Sequence, residues 1–210
     1  MAGERPNSCL LNAEEYLKMS KIFIMRHGED EDNANGILNG RRDAPLTELG
    51  RQQTKIAAQK LKDNNIDIIY ASPLKRAYET ARIVSEELGV DEVILDEHLI
   101  ERDFGILTGK PTADIRKYTD KVLETDRITY FLEVEGAEDF PTLYKRAEKI
   151  LSEIQERHSD KNVLVVCHGD IGKMLRAVYH GWDWETGLKT YYFDNTQVLE
   201  LFKEKEDIVE

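Results

Sequence analysis

The feature that most restricts the fold of this chain is the alternation of short apolar runs with longer segments of helical periodicity. The runs at 21–25, 67–71, 93–95 and 162–167 predict buried strands, and residues 197–202 predict a last strand. This alternation is typical of an α/β domain, because parallel strands need helical crossovers to connect them. We therefore predict a three-layer α/β/α fold with a mostly parallel central sheet.

Capping residues mark the helix boundaries. Thr47 predicts the start of a helix that continues to about residue 62, and Ser72 predicts the N-cap of the next, with Pro73 at its first position. Gly89 suits the end of that second helix. Two more helices are expected over residues 141–157 and 171–179, and residues 104–140 predict a lid or peripheral helices over the edge of the sheet. The apolar positions of the first helix are Leu49, Ile56 and Leu61.

Length and charge exclude several classes of protein. A chain of 210 residues fits one domain, which we expect over residues 19–210. Residues 1–18 form a polar leader that is either disordered or a non-native start, and Met19 is an alternative first residue. The net charge of −12 disfavours nucleic acid and anionic membranes as partners. Neither an apolar run of about 18–20 residues nor a signal-peptide pattern is present, and Cys9 and Cys167 are expected to be reduced thiols. These features predict a cytoplasmic protein.

Polar residues follow three of the predicted strands at the point where each strand ends. Arg26 and His27 follow the first strand, Arg76 follows the second, and His168 with Gly169 follows the strand at 162–167. Ligands of open α/β sheets bind at the carboxyl ends of the strands, so these side chains are expected to meet there. Two arginines, two histidines and helix N-termini suit a dianion such as phosphate, and a neutral imidazole is a competent nucleophile for phosphorus.

Other interpretations of these residues stay open at this point. Arg76 is a cation in the first turn of a helix, where the helix dipole is unfavourable to positive charge. Either a bound anion offsets this cost, or the side chain turns outward toward solvent, Glu79 or Glu29. His98, His158 and His180 are interpreted as structural. A metal phosphoesterase site lacks paired D-x-H or H-x-H ligands, so no metal is predicted, and the G-x-x-G-K at 169–173 does not match the spacing of a P-loop.

A series of ordered motifs resembles those of the histidine phosphatase superfamily, the phosphoglycerate mutase-like proteins. They begin with R-H-G-E at 26–29 followed by Asn33, and continue with S-P-L-x-R-A-x-x-T-A from residue 72. E-R-x-F-G-x-L-x-G from residue 101, G-A-E at 136–138 and H-G at 168–169 follow, and Asn195-Thr196 resembles a further element. The resemblance covers about residues 21–202 and implies a phosphoglycerate mutase-like fold.

The resemblance also implies a role for each matching residue. His27 would be the nucleophile, and Arg26, Arg76 and His168 would hold the phosphoryl oxygens. Asn33 and the Gly169 N–H would assist in binding them. Glu101 would be the general acid, whose alternative role is a salt bridge with Arg102 or a lysine.

One position departs from the family pattern. The residue after R-H-G-E is usually Ser or Thr, whereas here it is Asp30. A carboxylate beside an anion site would alter affinity or select a substrate with a cation or hydroxyl there. Alternatively, Asp30 points to solvent beside Glu31 and Asp32.

Three classes of function remain. The first is a phosphatase for small phosphorylated metabolites that needs neither a cofactor nor a metal. The second is a 2,3-bisphosphoglycerate-dependent mutase or a sugar bisphosphatase, which the motif at 101–109 favours. The short stretch between Glu101 and His168 favours the phosphatase instead. The third class is a noncatalytic phospho-ligand binding module, which the complete set of catalytic positions disfavours. A homodimer is compatible with the sequence, which does not specify the oligomeric state.

Overall fold

A central sheet of five strands organises the computed structural model, which describes residues 20–202. The strands are β1 Ile22–Arg26, β2 Ile68–Ala71, β3 Val93–Leu95, β4 Val122–Glu124, β5 Thr129–Phe131, β6 Val163–Cys167 and β7 Val198–Leu201. The strand order of the central sheet is β3-β2-β6-β1-β7, with β7 antiparallel to β1 and the other pairs parallel. A separate antiparallel pair is formed by β4 and β5.

Helices cover both faces of this sheet, and alternate residues of each strand point to opposite faces. Ile22 and Ile24 of β1 belong to one core cluster, and Phe23 and Met25 belong to another. The α-helices are α1 Glu31–Ala34, α2 Glu48–Leu61, α3 Lys75–Leu88, α4 Phe140–Arg157, α5 Gly169–His180 and α6 Trp184–Lys189. Because α4 and α5 supply residues to the first cluster, and α2 and α3 to the second, the predicted three-layer α/β/α fold is confirmed.

The helix boundaries agree with the capping residues except at Ser72. Thr47 accepts a hydrogen bond from the Gly50 N–H as the N-cap of α2, and Gly89 ends α3 with a φ of +69°. The prediction for Ser72 was wrong, since α3 begins at Lys75 with Leu74 as its N-cap. The Ser72 hydroxyl instead contacts a histidine, as described below.

The apolar positions predicted for α2 are only partly buried. Leu61 lies in the core, but Leu49 and Ile56 are 51% and 60% exposed. The buried face of α2 consists mainly of small residues, including Gly50, Ala57 and Ala58. A helix that packs through small side chains comes closer to the sheet, so its contact face carries little of the periodic signal that bulky residues give.

Residues 104–140, for which the sequence predicted a lid or peripheral helices, form a hairpin and two short 3₁₀ helices, Gly105–Leu107 and Thr112–Lys117. The hairpin pairs β4 with β5, and Phe104, Leu107, Ile115 and Phe131 make a small core of their own beneath it. This satellite core lies beside the carboxyl ends of the parallel strands, because three of its residues, Phe104, Ile115 and Phe131, also line the cavity described below.

Some predictions concern residues outside the described range. The leader at 1–18, Met19 as a start and Cys9 all lie there, so the domain division stays a prediction. Cys167 is buried with a free thiol. No helix within residues 20–202 is long and apolar enough to cross a membrane.

Candidate active site

The parallel strands bring the predicted residues to one edge of the sheet. Arg26 pairs in register with Cys167, so the two histidines that follow leave the sheet side by side. The His27 N–H donates to the Cys167 carbonyl oxygen at 3.0 Å, and the two imidazole rings are 5.0 Å apart between centroids. The Ser72 N–H donates to the Val166 carbonyl oxygen, which adds the end of β2 to the group. The meeting of these strand ends is therefore confirmed.

The imidazole of His27 is fixed in one orientation and one tautomer. Its Nδ1 lies 2.7 Å from the Gly28 carbonyl oxygen. Because a carbonyl oxygen only accepts, Nδ1 carries the proton and Nε2 carries the lone pair. Burial lowers the pKa of His27 well below its ordinary value, and the charges of Arg76 and Arg26 lower it further. The ring is thus neutral, and its Nε2 lone pair faces the guanidinium of Arg76, which is described below.

Two glycines let the backbone of the loop after His27 lie directly against the backbone of α2. A Cβ on Gly28 would lie 2.5 Å from the Gly50 carbonyl oxygen, and one on Gly50 would lie 2.1 Å from that of Glu29. Both distances are too short for any side chain. The Gly28 N–H also donates to the Thr80 hydroxyl, which ties the loop to α3.

Arg76 is buried and points into the site. Its Nε donates to His27 Nε2 at 3.2 Å, and its terminal nitrogens donate to the Arg42 and Gly40 carbonyl oxygens. Each terminal nitrogen keeps a second N–H for a ligand. The alternative of an outward orientation is wrong: Glu79 pairs with Arg51, and Glu29 accepts from Thr47.

Arg26 and His168 add two buried polar atoms to the same place. His168 Nε2 shares a 2.8 Å hydrogen bond with the Ser72 hydroxyl, and Arg26 packs against the Tyr192 ring. Neither Arg26 Nε nor His168 Nδ1 has a hydrogen-bond partner among residues 20–202. Since buried polar atoms ordinarily have partners, these two nitrogens suit a polar ligand. Burial, followed by the charge of Arg76, lowers the pKa of His168 well below its ordinary value.

Asn33 belongs to the site together with Asn195, to which the sequence motifs assigned no role. Asn195 Nδ2 donates to the His27 carbonyl oxygen at 2.9 Å and to Asn33 Oδ1 at 3.1 Å. Asn33 therefore keeps its own Nδ2 donors, and Asn195 acts as a brace. The neighbouring Thr196 has a φ of +58°, a conformation that only a constrained threonine adopts.

Glu101 is buried at the N-terminus of α5. One carboxylate oxygen accepts from the Arg102 and Ile171 N–H groups, and the other accepts from the Asp170 N–H at 3.2 Å. Burial raises the pKa of Glu101, and the charge of Asp170 raises it further. The alternative of a salt bridge with Arg102 is wrong, because that guanidinium pairs with Asp170 at 2.7 Å and stacks on Phe131.

Because Gly169 has no side chain, two other side chains approach one point. A Cβ at this position would lie 2.7 Å from the Tyr192 hydroxyl and 3.6 Å from a Glu101 carboxylate oxygen. Tyr192, which belongs to none of the sequence motifs, thereby joins the site. It lies 23 residues beyond Gly169, too far for any local sequence pattern to indicate it.

Asp30 is fully buried beside His27 and does not point to solvent. One oxygen accepts from the Asn33 N–H as the N-cap of α1. The other accepts from Asn39 Nδ2 at 2.7 Å and lies 3.3 Å from Arg76 Nε and 3.8 Å from His27 Nδ1. Burial raises the pKa of Asp30.

A cavity of about 560 Å³ borders the site, and Arg26, Asn33 and Glu101 are among its lining residues. Residues 37–39, the hairpin and the loop before β7 also contribute to its walls. Arg127 and Asp194 pair at 2.7 Å between these two walls. A second cavity of about 600 Å³ lies between α2 and β7 without any of the site's histidines or arginines. The first cavity therefore suits the body of a small metabolite.

These groups together suit phosphoryl transfer. Arginines and helix N-termini bind a dianion, an imidazole lone pair can attack phosphorus, and a buried carboxyl can protonate a leaving oxygen. Within residues 20–202 no cluster of three or more His, Cys, Asp or Glu side chains suits a metal ion.

Comparison with known proteins agrees with this chemistry. The family model of the histidine phosphatase superfamily (branch 1) matches residues 22–208. Phosphoserine phosphatase 1 of Hydrogenobacter thermophilus is 35% identical, over 77% of this chain and 75% of that one. A 2,3-bisphosphoglycerate-dependent phosphoglycerate mutase of Parvibaculum lavamentivorans is 36% identical, over 71% and 74%. Among solved structures, Bacillus stearothermophilus YhfR superposes with a TM-score of 0.73 at 29% identity, over 86% and 90%.

Proposed function

This chain belongs to the histidine phosphatase superfamily, and we propose that it hydrolyses small phosphomonoesters through a phosphohistidine at Nε2 of His27. One observation carries this proposal. The Gly28 carbonyl oxygen holds the proton on Nδ1, which leaves the Nε2 lone pair beside the Arg76 guanidinium. A nucleophile and a binding group for its anionic target are thus adjacent.

The first half-reaction transfers the phosphoryl group to the enzyme. The Nε2 lone pair forms a bond to phosphorus, and the ester P–O bond breaks. Its electron pair goes to the leaving oxygen, which takes a proton from Glu101. Arg26, Arg76, His168, Asn33 and the Gly169 N–H hold the three phosphoryl oxygens and neutralise the charge that spreads over them.

The second half-reaction returns the enzyme to its starting state. Ionised Glu101 accepts a proton from water, whose oxygen bonds to phosphorus as the N–P bond breaks. The bonding pair returns to Nε2 of His27, and inorganic phosphate leaves. Microscopic reversibility requires the same carboxyl to act as acid in one step and base in the next.

The pKa directions support this exchange of roles. The lowered pKa of His27 keeps its ring neutral and nucleophilic, and the raised pKa of Glu101 keeps a transferable proton available. A bound phosphoryl dianion would add like-charge repulsion and raise the pKa of Glu101 further. Each group therefore holds the protonation state that its first step needs.

The choice of acceptor separates the two enzymatic alternatives. In a phosphatase water takes the phosphoryl group, whereas in a mutase the sugar acid takes it. The relatives include both kinds of enzyme at similar identity. The stretch from Glu101 to His168 favours the phosphatase, because it holds only short 3₁₀ turns, one hairpin of three-residue strands and a single helix. A noncatalytic binding module is disfavoured by the complete nucleophile and acid.

Two experiments test the proposal. Brief incubation with a ³²P-labelled substrate should leave acid-labile, base-stable label on the protein, and His27→Ala should not be labelled. Label that persists in His27→Ala would overturn the assignment of the nucleophile. With 3-phosphoglycerate and the 2,3-bisphosphate primer, phosphate release should be faster than formation of 2-phosphoglycerate, and the reverse order would favour the mutase. A panel of phosphomonoesters then identifies the substrate.

Location and requirements complete the proposal. We propose a cytoplasmic enzyme that needs no metal, with neither nucleic acid nor membrane as a partner. The net charge of −12 supports the absence of nucleic acid and membrane partners, and the buried free thiol of Cys167 supports the cytoplasmic location. A homodimer stays a prediction, which the mass of the protein in solution tests.

A further inference from the structure

The carboxylate of Asp30 has one oxygen more than its local structural role requires. Capping α1 uses only Oδ1, which accepts from the Asn33 N–H, and a serine or threonine hydroxyl would serve that role as well. A hydroxyl is neutral, whereas the carboxylate shares a negative charge between its two oxygens. Asp30 has no solvent exposure, and an unpaired charge in such a position is costly. A function for Oδ2 has to come from what surrounds it.

Oδ2 lies against the nucleophile and its arginine. It is 3.3 Å from Arg76 Nε and 3.8 Å from His27 Nδ1, and it accepts from Asn39 Nδ2 at 2.7 Å. It therefore approaches the imidazole at Nδ1, the nitrogen that keeps its proton, while Arg76 Nε contacts both Oδ2 and His27 Nε2. From this position it acts on the ring by charge and does not touch the substrate.

The charge on the ring changes during the reaction. Before attack the imidazole is neutral, with its proton on Nδ1. When Nε2 bonds to phosphorus and the Nδ1 proton stays in place on the Gly28 carbonyl, the ring becomes a cation. An anion about 4 Å from that cation stabilises the phosphohistidine relative to the free enzyme.

We propose that Asp30 is a positioning residue that stabilises the cationic ring of phosphorylated His27. This inference rests on the proposed phosphohistidine. The consequence is asymmetric: the carboxylate speeds formation of the phosphohistidine, and it slows the hydrolysis in which the ring loses its charge. A hydroxyl at this position would cap α1 without either effect.

Burial raises the pKa of the Asp30 carboxyl, and the charge of Asp32 on α1 acts in the same direction. The charges of Arg76 on α3 and Arg26 at the end of β1 act in the opposite direction and favour the ionised carboxylate. The experiment is therefore run at neutral pH and above, where the carboxylate is most fully ionised.

Asp30→Asn tests the charge with the least change of shape. Asparagine caps helices as well as aspartate does, and Asn39 can reverse its amide to present an oxygen to the new NH₂ group. Glu31→Gln is the matched control, since it removes an exposed carboxylate from the same helical turn. Asp30→Asn with Asn39→Asp moves the carboxylate to the neighbour whose amide lies 2.7 Å from Oδ2.

Rapid-quench measurement of both half-reactions is the assay. Asp30→Asn should form the phosphohistidine about ten- to a hundredfold more slowly and hydrolyse it at an equal or higher rate, so less label accumulates. The double variant should recover part of the rate of formation, and Glu31→Gln should match the wild type.

Three outcomes would overturn the inference. Equal slowing of both half-reactions in Asp30→Asn would assign Asp30 a merely structural role. Unchanged half-reactions would remove any role for the charge, while leaving the phosphohistidine intact as the proposed function. A wild type that carries no label under any condition would instead overturn the proposed function, and this inference with it.

Discussion

Replacement of Glu101 by glutamine separates chemistry from scaffolding, and the structure sets the size of each effect. If the Gln oxygen keeps the hydrogen bonds from Arg102 and Ile171, the new NH₂ group faces the Asp170 N–H at about the 3.2 Å that now separates acceptor and donor. Two donors then meet in a buried place, at a cost of about 1–3 kcal/mol. Loss of the repulsion between Glu101 and Asp170 offsets part of this. We expect a net destabilisation of about 1–2 kcal/mol, or a Tm lower by about 2–8 °C.

The kinetic effect is larger and depends on the substrate. A positioned acid contributes about 10²–10⁴-fold, or about 3–5 kcal/mol, when the leaving oxygen is a poor leaving group. Glu101→Gln should therefore lose about that factor on alkyl phosphates. On p-nitrophenyl phosphate, whose phenolate departs without a proton, the loss should be less than about tenfold. Assays of both substrates on one protein preparation make each the control for the other, since partial unfolding lowers both rates equally.

The pH dependence provides a second check on the same variant. The raised pKa of Glu101 means that the protonated acid is lost as the pH rises through that pKa, so the wild type shows an alkaline limb on alkyl phosphates. Glutamine does not titrate, so this limb should disappear. The raised pKa also favours the protonated carboxyl in the folded state. The difference in the free energy of unfolding between the wild type and Glu101→Gln should therefore decrease as the pH rises through the pKa of Glu101. Equal losses on both substrates with an unchanged pH profile would refute the assignment of the acid.

Three further predictions follow from the site. Dialysis against EDTA should leave the rate unchanged and vanadate should inhibit, whereas a rate that collapses with EDTA and returns with a divalent ion would require a metal. Because the pKa values of His27 and His168 are lowered in the folded state, their contribution to the free energy of unfolding should be complete above about pH 6.5 and should decrease as the pH falls toward the lowered pKa values. Denaturant titrations of His168→Asn should show a smaller decrease over the same pH range. Ser72→Ala should cost about 1–3 kcal/mol by the same assay, since it leaves His168 Nε2 buried without its partner, and a neutral result would mean that His168 finds another.

Much of the site could be predicted from the sequence because strand order alone brings the ends of β1, β2 and β6 together. Arg26, His27 and His168 needed no knowledge of side-chain packing to be placed at one edge. Ser72 was misjudged for a physical reason. A serine before a proline at a helix start has the pattern of an N-cap, yet here its hydroxyl bonds to His168, 96 residues away. Local patterns carry no information about such a distant partner.

The remaining parts depend on packing that leaves little periodic signal. Strands of three residues, as in the hairpin of β4 and β5, are too short to show alternation, and 3₁₀ turns have no apolar stripe. The burial of Asp30 was equally hidden, because neighbouring Glu31 is exposed and an acidic run is usually solvated. Tyr192 reaches the site only through the fold of the loop before β7.

The contact between Gly28 and Gly50 has a consequence for how this enzyme can evolve. Backbone meets backbone there, so no substitution at either glycine can shift His27 by a small amount without displacing α2. Selection for a new substrate has no gradual path through this part of the molecule. The cavity wall from Phe104 to Phe131 packs through its own small core, where exchanges of side chain reshape the space without moving His27. Changes of specificity in the laboratory should therefore accumulate in that wall, while the loop of the nucleophile stays as it is.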